Sequence, residues 1–124
     1  MPTANMRDIE LYYEEHGRGQ PLIMVLGLGQ DLATWGFQIE ELSRHARLIV
    51  FDNRDSGKSS RCPDNYTTET MARDIFGLMD HLSIERAHLL GTSMGGMIAQ
   101  HAALLAPQRL NSLILAGTTS WGEA

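Results

Sequence analysis

The stretch Ala87-His88-Leu89-Leu90-Gly91-Thr92-Ser93-Met94-Gly95-Gly96-Met97 decides the fold. It passes from a short apolar run, through a serine between glycines, into a segment from Met97 to Leu105 that reads as helix and stops before Pro107. A strand that is apolar throughout is buried on both faces, which is the habit of parallel sheets covered by helices. Working outward, the same alternation recurs. Leu22 to Leu26 and Leu48 to Phe51 are further apolar strands, and Leu113 to Ala116 is a last one. Ile9 to Tyr13 is a first, less apolar strand, closed by the turn at Gly17-Arg18-Gly19.

Helices fall between these runs. Leu32, Trp35, Ile39 and Leu42 recur at helical spacing, and Met71, Ile75, Leu78, Met79 and Leu82 make one apolar face. Thr67 is placed to cap the second helix, with Glu69 in its positive first turn. The polar stretch from Asn53 to Asn65 reads as loop. The expected class is α/β, a mostly parallel sheet with helices on both faces.

Composition narrows the function. A chain of 124 residues allows one domain and leaves little room for a second. Its 43% hydrophobic and 20% charged residues fit an ordinary globular domain. Ten basic against fifteen acidic residues give a net charge of −5, with no basic cluster, so nucleic acid is not an expected partner. The single cysteine, Cys62, cannot close an internal disulfide, and no spacing suggests a metal site. The N-terminal residues do not read as a signal peptide, and the longest apolar run, Leu22 to Leu28, is too short to span a bilayer. The reading is a cytoplasmic domain with no membrane partner.

Gly91-Thr92-Ser93-Met94-Gly95 fits G-x-S-x-G in the strand-to-helix context that gives the pattern meaning. A nucleophile at the tip of a sharp turn has a strained backbone, so Gly91 and Gly95 are read as positions that must lack a Cβ. The amide of Met94 would stand at a helix N-terminus, where the dipole favours a developing oxyanion. A second oxyanion donor is expected from the turn after an earlier strand, and Leu26-Gly27-Leu28-Gly29 occupies that place. Leu28, Asp52, Ser93 and Gly117 would then share the carboxyl edge of the sheet, where ligands bind in open α/β sheets. Two nucleotide motifs fail: Gly27-x-Gly29 meets Leu32 where a third glycine is needed, and Gly57-Lys58-Ser59 has Asp52 at the upstream glycine position.

These residues resemble the α/β-hydrolase superfamily, in particular its esterase-like and enol-lactonase-like serine hydrolases. The resemblance runs from about Ile9 to Thr119, and rests on Leu22 to Gly29, Phe51 to Ser59, and Gly91 to Gln100. It implies Ser93 as nucleophile, the backbone amides of Leu28 and Met94 as oxyanion donors, no metal or organic cofactor, and a small-molecule ester or lactone as substrate. Ser93 stands where the dehalogenase and epoxide-hydrolase branches place an aspartate. Two departures are visible: Leu26-Gly27 replaces the usual His-Gly, and Arg54-Asp55 replaces the usual Arg-Gly.

A serine hydroxyl needs a histidine to take its proton and an acid to orient that histidine, in the chain order Ser, Asp or Glu, His. After Ser93 the candidates are His101 and Glu123. His101 would lie ~12 Å along the helix at ~1.5 Å per residue, and His88 ~16 Å back along the strand at ~3.3 Å per residue. His16, His45 and His81 have no evident route to the site. The expectation is therefore the N-terminal portion of one α/β-hydrolase core, residues 1–124, truncated after about the sixth core strand, with acid, histidine and cap beyond position 124. Left as an apolar edge, the strand near Leu113 to Ala116 would promote self-association.

Alternatives remain open: a non-catalytic fragment or binding module, or, within the fold, a thioesterase or acyltransferase. Trp35 and Phe37 are read chiefly as packing residues, as are Met24 and Met97. Asp52 is expected to fix the following loop together with Arg54.

Overall fold

The computed structural model describes residues 3–5, 9–26, 36–54, 58–59 and 66–116, with the side chains of residues 36 and 37 excepted. The strands are β1 (Thr3–Asn5), β2 (Glu10–His16), β3 (Pro21–Val25), β4 (Arg47–Phe51), β5 (Ala87–Thr92) and β6 (Leu110–Ala116). The helices are α1 (Gly36–Leu42), α2 (Thr68–His81) and α3 (Met94–Leu105), and a short 3-10 turn at Pro107–Arg109 leads into β6. One sheet holds all six strands in the order β1-β2-β4-β3-β5-β6.

The inner strands run parallel, β4 with β3, β3 with β5, and β5 with β6. β1 and β2 are antiparallel additions on the β4 side. The apolar runs thus become the parallel part of the sheet, while β2, which carries Glu10, Glu14 and Glu15, lies towards one edge. β1, only three residues long, is an element that hydrophobic patterning did not signal.

Side-chain alternation along the strands sorts the core into two layers. Ile23, Val25, Ile49, Phe51, Ala87 and Leu89 point to one face, where α2 and α3 cover them with Ile75, Leu78, Met79, Ile98 and Ala99. Met24, Leu26, Leu48 and Val50 point to the other, against Ile39 of α1. Helices therefore cover both faces. Burial of a Leu, Ile or Met side chain contributes roughly 1.5–3 kcal/mol. No helix among the described residues is long and apolar enough to cross a membrane.

Thr67 caps α2 as its pattern predicts. Its hydroxyl accepts from the Thr70 amide, and the Thr70 hydroxyl accepts from the Thr67 amide. The first helix is described from Gly36, and Leu32 and Trp35 lie outside the described residues. α3 starts at Met94, three residues before the helical pattern becomes visible, because two glycines at its start mask the periodicity.

A buried ion pair ties the loop after β4 to α2. Arg54 donates from Nε and Nη2 to the two carboxylate oxygens of Asp74, each at 2.8 Å, and its guanidinium lies 5.4 Å from the Tyr66 ring centre. Both partners are buried. Removing one member of such a pair strands the other charge in the core, so Asp74→Ala is expected to destabilise the fold by about 3–5 kcal/mol. Urea unfolding monitored by tryptophan fluorescence measures this, and a loss below about 1 kcal/mol, the range of exposed pairs, would contradict it.

Candidate functional site

β5 delivers the chain to Thr92, and α3 begins at Met94, so Ser93 alone makes the corner. Its backbone has φ 55° and ψ −126°, a left-handed conformation unusual for a residue with a Cβ. Such a conformation costs on the order of 1–3 kcal/mol and persists only where its surroundings enforce it. Here the Ser93 amide donates to the Ala116 carbonyl at the end of β6 (3.2 Å), and the Ser93 carbonyl accepts from the Gly96 amide (3.0 Å). The side chain is exposed and does not cap the helix.

The flanking glycines are required by close approach. A Cβ on Gly91 would lie 2.5 Å from the Gly95 carbonyl oxygen and 2.7 Å from the Gly96 Cα. A Cβ on Gly95 would fall against the Val25 carbonyl oxygen and 2.7 Å from that of Leu26. The first turn of α3 is therefore seated directly on the carboxyl ends of β3 and β5. Met94, the first helical residue, is partly buried against the core. Thr92 is buried, and its hydroxyl has no hydrogen-bond partner among the described residues.

The end of β3 is gripped from a second direction. Asn53, buried just after β4, donates its side-chain amide to the Leu26 carbonyl at 3.0 Å. Nothing in the sequence singles out Asn53, a polar residue opening a polar stretch. Its neighbour Asp52 accepts from the Lys58 amide (2.9 Å), and the Asp52 carbonyl accepts from the Ser59 hydroxyl (2.5 Å), which in turn accepts from the Tyr12 amide (2.8 Å). Asp52 thus fixes the loop as expected, but through Lys58 and Ser59, while the guanidinium of Arg54 is directed to Asp74. Beneath this loop Tyr12 donates to Glu14 Oε2 at 2.6 Å. That bond, with burial, pushes the phenol up to about 12, and the same bond holds Glu14 below the usual carboxylate range against the opposing effect of burial.

In register, Val25 pairs with Gly91, and Thr92 with Ala116. Leu26, Ser93 and the end of β6 therefore gather at one edge of the sheet, together with Asp52 at the end of β4. Leu28, Gly117 and Trp35 lie outside the described residues, as does the side chain of Phe37. Met24 is core, and Met97 is half-buried on α3.

Four of the five histidines are occupied elsewhere. His101 Nδ1 is 3.0 Å from the Thr68 hydroxyl, on the side of α3 that faces α2. His88 lies between the Ser112 hydroxyl and Gln20 Oε1, each at 2.6 Å, low on the sheet. His16 contacts Glu14, and His81 stacks edge-on against Tyr13.

Comparison with known proteins agrees with this architecture. The family model described as alpha/beta hydrolase fold matches residues 20–124. A RutD protein of Azorhizobium caulinodans, named as a carbamate hydrolase, is 36% identical over 124 residues, which are 100% of this chain and 46% of that protein. The 3-oxoadipate enol-lactonase 2 of Acinetobacter baylyi is 34% identical, with 98% of this chain and 47% of the relative covered. A thermophilic esterase from Thermogutta terrifontis superposes with TM-score 0.90 and 38% identity, over 98% of this chain and 46% of the esterase. The chain spans about half the length of the curated relatives it matches. With a strand-to-helix corner at Ser93 seated on two parallel strands, and a family match over most of its length, this chain belongs to the α/β-hydrolase family.

Proposed function

We propose that this chain supplies the nucleophile and the oxyanion donors of a serine hydrolase that acts on carboxylic esters or lactones. Ser93 attacks the carbonyl carbon, the amides of Leu28 and Met94 hold the developing oxyanion, and water then releases the acyl group. The acid and the histidine that activate Ser93 come from residues beyond position 124. The observation that carries this reading is the exposed Ser93 side chain on a backbone held at φ 55°. Strain of this kind is retained where it presents a reactive group. The enol-lactonase relative and the esterase structure support the substrate class.

The second reading, a binding module without turnover, is favoured by the histidines, since His16, His88 and His101 are hydrogen-bonded away from Ser93. Aryl-acetate hydrolysis separates the two. Residues 1–124 alone are expected to match their own Ser93→Ala variant, whereas protein that continues past position 124 is expected to turn over at least about 10³-fold faster. Equal and negligible rates for both lengths would favour the binding module.

A proposal about association follows from β6. It is the last strand in the sheet order, and Leu113, Ile114 and Leu115 are 36%, 47% and 42% exposed. An apolar edge of this kind pairs readily with another strand. Residues 1–124 alone are expected to elute as dimers or larger species by size-exclusion with light scattering. Ile114→Lys is expected to shift them towards monomer, and a concentration-independent monomer for the unsubstituted chain would contradict the proposal.

A further inference from the structure

We propose that Asn53 is a positioning residue for the oxyanion donors, acting through the Leu26 carbonyl. The inference rests on the serine-hydrolase reading and adds to it a residue that touches neither substrate nor nucleophile. Two observations converge on one atom. The Asn53 amide, itself buried, donates to the Leu26 carbonyl oxygen at 3.0 Å, bridging two strand ends that are 27 residues apart in sequence. The first turn of α3 sits so close to the same carbonyl that a Cβ on Gly95 would come within 2.7 Å of it. Leu26 also stands only two residues before Leu28 in the chain.

The two proposed donors stand on separate elements, Met94 at the start of α3 and Leu28 just past β3. A catalytic oxyanion hole requires both to point at one place, and an error of about 1 Å costs about 10²-fold in rate. The Leu26 carbonyl is where α3 seats on the end of β3, and Asn53 holds it. The hold is rigid because Asn53 lies between two anchored neighbours, Asp52 bonded to the Lys58 amide and Arg54 paired with Asp74.

The test uses protein that includes the residues past position 124, with Asn53→Leu and Asn53→Asp compared at equal folded fraction. Asn53→Leu removes the donor at similar size. Its kcat on an aryl acetate is expected to fall by about 10²-fold with KM within about twofold, and the affinity for an alkyl boronic acid, which forms a tetrahedral adduct, is expected to fall in parallel. Asn53→Asp decides the matter should the leucine variant fail to fold. Its carboxylic acid can donate to the Leu26 carbonyl but its carboxylate cannot, so its rate relative to wild type at each pH is expected to rise as pH falls. A purely packing role predicts a flat ratio. A kcat within twofold of wild type, a loss shared equally with KM, or a flat pH ratio overturns the proposal. If instead Ser93→Ala keeps the wild-type rate, the serine-hydrolase reading itself fails, whatever Asn53 does.

Discussion

Ser93→Ala is expected to lower kcat/KM on an aryl acetate by roughly 10⁴-fold or more in protein that extends past position 124. Loss of the hydroxyl removes the covalent route and leaves only what binding and the oxyanion donors contribute. The fold itself should be indifferent, because alanine and serine both carry a Cβ and meet the same strain at φ 55°. Ser93→Gly is the informative companion. It is equally inactive, yet it relieves the strain and is expected to stabilise the chain by about 1 kcal/mol, net of glycine's added chain entropy. Thermal unfolding of the three proteins measures this. A glycine variant less stable than the alanine variant would show that the corner is not strained.

Gly95→Ala is expected to impair stability and activity together. The added methyl falls against the Val25 carbonyl oxygen and close to that of Leu26, both backbone atoms of the central strand and its extension. Overpacking a core with flexible side chains costs about 1–3 kcal/mol. Here no side-chain end can swing aside, so a cost of about 3 kcal/mol or more is expected, a large share of the ~5–15 kcal/mol that holds a domain together. The variant should express mostly as insoluble protein, and any soluble fraction should lack activity, because α3 must lift off β3 and carry the Met94 amide with it. Soluble Gly95→Ala protein with wild-type melting behaviour would contradict the close seating of α3.

Much of this was legible in the chain itself. The inner strands announce themselves because a parallel strand buried on both faces is apolar at every position, as in Leu22 to Leu26 and Leu48 to Phe51. The corner at Ser93 was legible because close approach leaves a trace in composition, a glycine on each side. Strand direction was not. Glu10 to His16 shows that a strand exists but carries no sign of its antiparallel pairing with β4. β1 is three residues long and offers no pattern to detect. Arg54 and Asp74 are 20 residues apart, and only the packing of α2 under the loop decides that they meet. Asn53 was hidden for the same reason. Its bond to Leu26 depends on two adjacent strands ending level, which no local spacing encodes.

The most direct test of the central claim is peptide mapping after reaction with a fluorophosphonate probe, in protein that extends past position 124. One adduct is predicted, on the peptide that contains Ser93, with none in Ser93→Ala. A probe that leaves Ser93 untouched while the protein still hydrolyses the ester, or that marks a different serine in the active protein, would contradict it.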